Sequence, residues 1–262
     1  MARKPTLSPT RIAIYLECAV KYRYIYHDKI GRFYLRARPG YSFGSTMHQV
    51  LQSFHEEVRT TGEAQSVEQM QQEVETRWIS AGYESAEQED EFRTAGSEVI
   101  AAYHSAVTER LEQGVETVWT EKTLSTDMGP FRLSGRVDRI DRHADGSLEI
   151  IDYKSGRWEV TPEDVAESLA MTIYQYILRR NHPDTRVFAT IYALRSGIHA
   201  SSEMSDEQAE RFGADILALG EEILGRDYAA LEPVPVPACP TCEFLPRCEA
   251  FWRRQKRMER LD

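Results

Sequence analysis

The sequence predicts an α/β protein in which a mixed sheet is flanked by helices. Three short runs rich in β-forming residues follow Gly114, and turn residues separate them. The chain then continues as helix, strand and helix, an order typical of a mixed sheet with helices packed on it. No Rossmann-type glycine fingerprint occurs, which argues against a dinucleotide-binding fold.

Individual elements follow from hydrophobic periodicity and from capping residues. The predicted strands are Val115–Leu124, Phe131–Asp141, Leu148–Lys154 and Arg186–Leu194. The first predicted helix begins at Ser8-Pro9 and carries Ile14, Tyr15, Cys18 and Tyr22 on one face. The others are a helix from about Gly44, a helical stretch over residues 66–114, a helix from Thr161-Pro162 to about Asn181, and a helix over Ser205–Gly225.

The composition is that of an ordinary globular protein, with 41% hydrophobic and 28% charged residues among 262. No uninterrupted apolar run approaches the about 20 residues that a membrane span needs. No apolar block precedes a cleavage site near the N-terminus. We therefore expect a cytoplasmic protein with no membrane partner.

The net charge of −10 conceals an asymmetry along the chain. Residues 1–38 carry a net charge of +7, residues 247–262 carry +3, and the stretch between them carries −20. Basic chain ends favour a polyanionic partner such as a nucleic acid, although solvated helix faces would give the same pattern. Charge by itself leaves both alternatives open.

The four cysteines predict a metal centre that joins the two chain ends. Cys239, Cys242 and Cys248 form a C-x2-C-x5-C group, and Cys18 is the fourth cysteine. Four thiolates suit a zinc ion or an iron–sulfur cluster, whereas disulfides are rare in the cytosol. One distant ligand argues against a self-contained zinc ribbon, so we favour a [4Fe–4S] cluster. Four unrelated buried thiols are the alternative.

Two carboxylates and a lysine are predicted to meet on one β-hairpin. A three-residue turn over residues 144–146 places Asp138 opposite Asp152, at the about 5 Å spacing of cross-strand neighbours. Side chains alternate along a strand, so Asp152 and Lys154 share a face. Carboxylates this close repel unless a cation lies between them, which predicts a divalent-metal site. A solvated hairpin is the alternative, but the flanking isoleucines indicate a buried strand, where unpaired charges are costly.

The hairpin begins with G-x-x-D at Gly135 to Asp138 and ends with D-Y-K-x-G at Asp152 to Gly156. This combination resembles the RecB-type branch of the PD-(D/E)XK nucleases, over nearly the whole chain except about residues 60–115. Further features agree with it: the opening segment Leu7-Ser8-Pro9-Thr10-Arg11 with Tyr15, Leu16 and Cys18, the G-x-x-x-H motif Gly44-Ser45-Thr46-Met47-His48, and a cysteine pattern similar to that of the iron–sulfur nucleases of AddB-type repair complexes and of CRISPR adaptation.

The resemblance implies a restriction-endonuclease-like core with a cysteine-cluster lobe formed by the two chain ends. It implies that Mg²⁺ or Mn²⁺ is held by His48, Asp138, Asp152 and the backbone carbonyl of Tyr153. Lys154 would orient the attacking water and stabilise developing charge, and Glu121 resembles an acid that the family often places on the preceding strand. His48 alone would more often be a structural core histidine, so its role depends on the accompanying motifs.

The function implied is a metal-dependent DNA nuclease, a single-strand exonuclease in repair or recombination. The alternatives are a CRISPR-adaptation nuclease that trims spacer precursors and a non-catalytic subunit that binds DNA ends. The intact set of Asp138, Asp152 and Lys154 favours a catalyst. No G-x-x-x-x-G-K-[ST] motif occurs, so any helicase activity would come from a partner.

Contacts to DNA are expected from Arg11 and Lys21 and from Tyr174, which fits the tyrosine of the family's Q-x-x-x-Y motif. Ala170 occupies the glutamine position, and Gln175 lies about 100° around the helix from Tyr174, so we do not expect it to substitute. The aromatic residues Tyr22, Tyr24 and Tyr26 could stack bases or could pack on the body of the protein.

These motifs suggest three parts. Residues 1–38 and 239–262 would form the iron–sulfur, DNA-gripping lobe. Residues 39–114 would form a helical segment that includes the G-x-x-x-H motif. Residues 115–238 would form the nuclease core.

Overall fold

The computed structural model describes residues 4–156 and 159–258. Residues 1–3 and 259–262, which belong to the predicted basic chain ends, lie outside the described residues. No helix in the described part of the chain is both long and apolar enough to cross a membrane.

Contacts divide the chain into two compact units. The first comprises the N-terminal residues up to Thr6 together with Ala37–Ala214, and the second comprises Leu7–Arg36 and the chain from Asp215 onward. The helices of residues 39–114 thus share a unit with the sheet. Both stretches that carry cysteines lie in the second unit.

The described residues form strands and helices whose bounds differ somewhat from the expected ones. The strands are β1 (Thr6–Leu7), β2 (Glu116–Asp127), β3 (Arg132–Arg142), β4 (Leu148–Lys154), β5 (Val187–Ala193) and β6 (His199–Ser202). The helices are α1 (Pro9–Glu17), α2 (Ala19–Tyr22), α3 (Pro39–Thr61), α4 (Val67–Thr76), α5 (Ala86–Glu112), α6 (Pro162–Glu167), α7 (Leu169–Asn181), α8 (Asp206–Gly225) and α9 (Leu245–Met258).

One sheet contains all six of these strands. β3 pairs with β1, β2 and β4, β4 pairs with β5, and β5 pairs with β6. The β2–β3, β3–β4 and β5–β6 pairs are antiparallel, whereas β4 and β5 are parallel and are connected through α6 and α7. The predicted mixed sheet flanked by helices is therefore confirmed.

The β3–β4 hairpin has the predicted register. Its ladder pairs Arg139 with Ile151. Gly146 has a φ of +84°, the left-handed conformation that the short turn requires and that glycine adopts without strain. The next position outward from the Arg139–Ile151 pair places Asp138 opposite Asp152.

Helices α3, α4 and α5 cover one face of the sheet. Ile151 and Tyr153 of β4 belong to the same apolar core as Phe54 of α3. Side chains alternate along a strand, so Ile150 and Asp152 lie on the opposite face, where α7 packs. One face of β4 therefore contributes to the apolar core under α3, and the other face carries Asp152.

Three predicted helical stretches are interrupted in the structure. The helix expected from Thr161 to about Asn181 is split at Ser168, whose backbone is extended with φ −70° and ψ 111°. The Ser168 side chain accepts a hydrogen bond from the Met171 N–H, because serine competes for backbone hydrogen bonds and caps the following helix. The helical stretch over residues 66–114 is likewise two helices, α4 and α5.

The N-terminal helix expected to continue through Tyr22 breaks at Cys18. Cys18 has an extended backbone, and its Sγ accepts a hydrogen bond from the Lys21 N–H at 3.5 Å, so the thiol caps α2. The helix expected from about Gly44 begins earlier, at Pro39. Neither β6 nor α9 is predicted from sequence, since β6 is short without apolar alternation and α9 is rich in charged residues.

The second unit has a small apolar core of its own. Val20, Tyr24 and Phe244 are buried there, and three of the cysteines pack against them. Tyr22 stacks on Tyr228 with ring centroids 5.5 Å apart. Tyr22 and Tyr24 are only 4% and 6% exposed, so the hypothesis that they stack bases is wrong for both. Their large rings instead supply much of the apolar surface that this small core buries.

A buried ionic network lies on the α3–α5 side of the hairpin. Arg139 and Asp141 are each 2% exposed, and Nη2 of Arg139 lies 3.0 Å from Oδ2 of Asp141. Arg139 also donates to His55 and to the Tyr103 hydroxyl, and the Thr117 hydroxyl donates to Asp141 at 3.1 Å. Burial and the neighbouring arginine charge lower the pKa of His55 well below its usual value, which keeps the ring neutral as an acceptor.

Asp141→Ala should lower the free energy of unfolding by about 3–5 kcal/mol, because it leaves the buried Arg139 guanidinium without its counter-charge. Urea denaturation followed by circular dichroism measures this change. Asp127→Ala is the control: Asp127 ends β2 and forms an exposed ion pair with Lys4. That variant should unfold at nearly the wild-type urea concentration. Equal effects of the two substitutions would show that the Arg139 network does not stabilise the fold.

Candidate active site

The β3–β4 hairpin brings two carboxylates and a lysine together. Oδ2 of Asp138 accepts a hydrogen bond from the Tyr153 N–H at 2.8 Å. Nζ of Lys154 lies 2.5 Å from Oδ2 of Asp152, which is 7% exposed. Burial and the charge of Asp138 raise the pKa of Asp152 despite this lysine, because both disfavour the charged carboxylate.

Helix α3 brings His48 to the hairpin. Gly44, one turn earlier, permits this approach: a Cβ there would lie 2.8 Å from Oγ of Ser155, just past the end of β4. Nε2 of His48 lies 3.1 Å from the Tyr153 carbonyl oxygen, and Nδ1 lies 3.3 Å from Oδ1 of Asp138. Burial lowers the pKa of His48, but the bond to Asp138 and its charge outweigh that effect, so the pKa is raised overall.

Glu121 enters the site through an unusual backbone conformation. The β2–β3 ladder places it opposite Asp138, between the neighbouring cross-strand pairs. Its φ of +47° lies in the left-handed region, which costs a non-glycine residue on the order of 1–3 kcal/mol. Burial and the charge of Asp138 raise the pKa of its carboxyl, although Nε of Arg136 lies 2.5 Å from Oε2. Strain of this kind favours a functional position.

His48, Glu121 and Asp138 together could hold a cation. Each offers one ligand atom, and these atoms all lie within 4.8 Å of one another. The three residues line an open pocket. Oε2 of Glu121 and Oδ2 of Asp152 are buried, and each is ion-paired to a cationic side chain but accepts no well-aligned hydrogen bond. Oxygen ligands with spare acceptor capacity and one imidazole suit Mg²⁺ or Mn²⁺.

Helix α7 places Tyr174 beside the acidic residues. Burial raises the pKa of Tyr174, and the nearby charges of Asp152, Asp138 and Glu121 raise it further. Gln175 points elsewhere: its side chain is buried, and its Oε1 accepts a hydrogen bond from the Met204 N–H at 3.0 Å. As expected from the helical angle, Gln175 does not take the place of the missing glutamine, because the amide is already engaged.

The sequence patterns do not indicate Arg136 as a site residue. Its side chain pairs with Glu121 and lines the same pocket as His48 and Asp138. Strand alternation supplies the signal that could have found it, since Arg136 lies two residues before Asp138 and therefore shares its face.

The four cysteines line one cavity in the second unit. All four are free thiols. Each sulfur has a hydrogen-bond donor, and the donors are the Lys21 N–H to Cys18, the Val236 N–H to Cys239, the Phe244 backbone to Cys242 and the Tyr24 hydroxyl to Cys248. Burial raises the pKa of the Cys242 and Cys248 thiols, but these donors favour the thiolate form that binds metals.

The two basic residues predicted to contact DNA make contacts within the second unit. The Arg11 guanidinium lies 4.6 Å from the centroid of the Tyr26 ring. Nζ of Lys21 lies 2.9 Å from a Glu17 oxygen and 3.9 Å from a Glu243 oxygen. Their role in DNA binding stays a prediction.

Asp152→Asn should raise the melting temperature of the metal-free protein, and more at pH 8 than near pH 4. The folded-state pKa of Asp152 is raised above its unfolded value of about 3.9. The folded protein then binds more protons than the unfolded chain between these two pKa values, so the free energy of unfolding falls as the pH rises through that window. Scanning calorimetry in EDTA at the two pH values measures the difference.

Asp145→Asn is the matched control, because Asp145 lies in the turn of the same hairpin. Hydrogen bonds from the Ser147 hydroxyl and backbone lower the pKa of Asp145, so its carboxylate stabilises the fold at neutral pH. This variant should gain no stability at pH 8. Mn²⁺ should raise the melting temperature of the wild type more than that of Asp152→Asn. A loss of stability at pH 8 in Asp152→Asn would contradict the interpretation.

The chain was compared with known proteins. Among solved structures, 26 chains match. One of them is described as "Crystal structure of SSO0001". It has 14% sequence identity, the match covers 95% of this chain and 88% of that chain, and the TM-score is 0.43. The search of curated proteins found no match. A profile of the PD-(D/E)XK nuclease superfamily matches residues 6–249. The chain therefore belongs to the PD-(D/E)XK nuclease superfamily.

Proposed function

We propose that this member of a metal-dependent nuclease superfamily is a single-strand DNA exonuclease of repair or recombination, with a [4Fe–4S] cluster in its second unit. The observation that carries the proposal is the convergence of His48, Glu121 and Asp138 beside Asp152 and Lys154. An intact set of these groups favours catalysis over a purely DNA-binding role.

A divalent ion held by His48, Glu121, Asp138 and Asp152 would activate water and neutralise charge on the scissile phosphate. Lys154 contributes a compact ammonium with three donors, which can bond both a water molecule and a phosphate oxygen. Its side chain is 39% exposed, so its head group reaches the open side of the site. Asp152 holds that ammonium in place, and the Tyr153 N–H holds the Asp138 carboxylate.

Asp138→Ala, Asp152→Ala and Lys154→Ala should each reduce cleavage of single-stranded DNA by about 10²–10³ or more. The aspartates would hold the divalent ion, and Lys154 would stabilise the negative charge of the transition state. End-labelled oligonucleotides incubated with Mg²⁺ or Mn²⁺ measure the rate. Lys122→Ala is the control, since Lys122 lies on β2 over the Trp119 ring and outside the site. Wild-type activity in Lys154→Ala would show that the active site has been misplaced.

The same assay distinguishes the modes of cleavage. An exonuclease shortens a linear strand progressively from one labelled end and leaves closed circular single-stranded DNA intact. Cleavage of the circle would replace the exonuclease proposal with an endonuclease. Trimming limited to duplex ends with short overhangs would favour the processing of spacer precursors in CRISPR adaptation.

The [4Fe–4S] proposal is supported by the four cysteines that line one cavity and by the hydrogen-bond donors to their sulfurs. Cubane clusters bind four cysteine thiolates and are tuned by hydrogen bonds to the sulfurs. Apolar side chains such as Val20 and Phe244 line the same cavity and limit solvent access. The residues present therefore fit the cluster.

Anaerobically purified protein should be brown and contain about four iron atoms and four acid-labile sulfides per chain. Cys18→Ser should lose the colour as completely as Cys248→Ser, because both sulfurs belong to one centre. Iron and sulfide analysis with visible absorption measures both results. Both variants should also melt at a lower temperature, since metal-binding energy is partly folding energy. A colourless protein with one tightly bound zinc would refute the cluster.

A further inference from the structure

A second pocket of the cysteine-bearing unit combines positive charge with an aromatic surface. It is lined by the side chains of Arg23, Arg247 and Arg254, together with Tyr24 and Phe251. The cysteine cavity is a different pocket, although Tyr24 and Pro233 border both. Neither the superfamily match nor the proposed active site assigns a role to this pocket.

Neighbouring groups hold two of the three arginines in place. Nη1 of Arg23 donates to the Leu231 carbonyl at 3.0 Å, and its Nε lies 3.3 Å from Asp28, so the side chain is held in place. The Arg247 guanidinium lies 5.1 Å from the centroid of the Tyr24 ring. No carboxylate is found among the described residues that line the pocket. The pocket therefore carries net positive charge, and a bound anion would relieve the repulsion between its guanidinium groups.

The aromatic ring narrows the class of ligand. Phe251 is half-buried and lies on α9 between the positions of Arg247 and Arg254. Residues three and four apart on a helix are neighbours, so all three project toward one side. Guanidinium groups suit phosphate oxygens, and an aromatic ring offers a stacking platform for a base. An acidic peptide would use the charges but not the ring.

We propose that this pocket binds one nucleotide unit of a single-stranded DNA, with a phosphate on Arg247 and Arg254 and a base against Phe251. The proposal rests on the proposed function in taking DNA as the ligand. It adds a specific subsite, so that a strand is held at a defined place in the second unit rather than by diffuse positive charge.

Arg254→Ala and Arg253→Ala form the decisive pair. The two residues are adjacent on α9 and lose the same charge, but Arg253 is paired with Glu249 and is not among the pocket residues. Fluorescence anisotropy of a labelled oligothymidylate is measured with cluster-loaded, full-length protein in EDTA, which prevents hydrolysis. Arg254→Ala should weaken binding at least about five-fold and reduce the slope of log K against log salt by about 0.7. Arg253→Ala should change affinity less than about two-fold.

Phe251→Leu tests the base contact separately. It should weaken binding about five-fold or more, with an unchanged salt slope, because stacking rather than phosphate contact is lost. On an oligonucleotide without bases, Phe251→Leu should bind as the wild type does. The visible spectrum and melting temperature of each variant confirm that the cluster and the fold are intact.

Equal losses in the two arginine variants would overturn the proposal, because only general charge would then matter. If polyglutamate displaces the labelled oligonucleotide as strongly as unlabelled DNA does, the pocket binds an acidic peptide. If deoxyadenosine monophosphate displaces it as strongly as unlabelled DNA does, the pocket binds a free nucleotide. If the wild-type protein binds the oligonucleotide but does not cleave it in Mn²⁺, the proposed nuclease activity is refuted and the proposed nucleotide subsite is not. Cleavage with no difference between Arg254→Ala and Arg253→Ala would refute only the pocket.

Discussion

The register of the β3–β4 hairpin is the constraint on which the rest of the first unit depends. It sends Asp138 and Asp152 to one face, and Arg139 and Asp141 to the other. A slip by one residue would exchange these faces and bury the wrong charges. The left-handed turn at Gly146 and the buried Arg139 network both favour the same register, so the acidic site and the interior behind it are specified together.

The candidate active site concentrates negative charge where the fold alone would avoid it. The pKa values of Glu121 and Asp152 are raised because both carboxyls are buried close to Asp138. Glu121 is also held in a strained left-handed conformation. Such features oppose folding of the metal-free chain, and a divalent cation would relieve the repulsion.

In the second unit, cysteines from distant parts of the chain lie together. Cys18 comes from the N-terminal segment, and the other three cysteines come from the segment around α9. Tyr24 connects several of the features there: its ring packs on Phe244, and its hydroxyl donates to Cys248. The proposed metal centre would add stability to an apolar core this small, because small cores alone bury little surface.

The sequence by itself determined the features that depend on local spacing. Turn length and strand alternation are enough to place Asp138 opposite Asp152, with Lys154 on the same face. The C-x2-C-x5-C spacing with one further cysteine predicts that the four thiols share one site, and the structure places all four along one cavity.

Only the tertiary structure decided the features that depend on distant partners. The packing of α3 brings His48 to Asp138. Glu121 itself has a left-handed backbone conformation within β2, and its side chain enters the same pocket. The helix predicted through Cys18 breaks there because its sulfur caps α2. Tyr22 and Tyr24 are buried because helix and aromatic partners from the other end of the chain cover them. Periodicity encodes which side of an element is apolar, but the partner that covers that side lies far away in sequence and is set by packing alone.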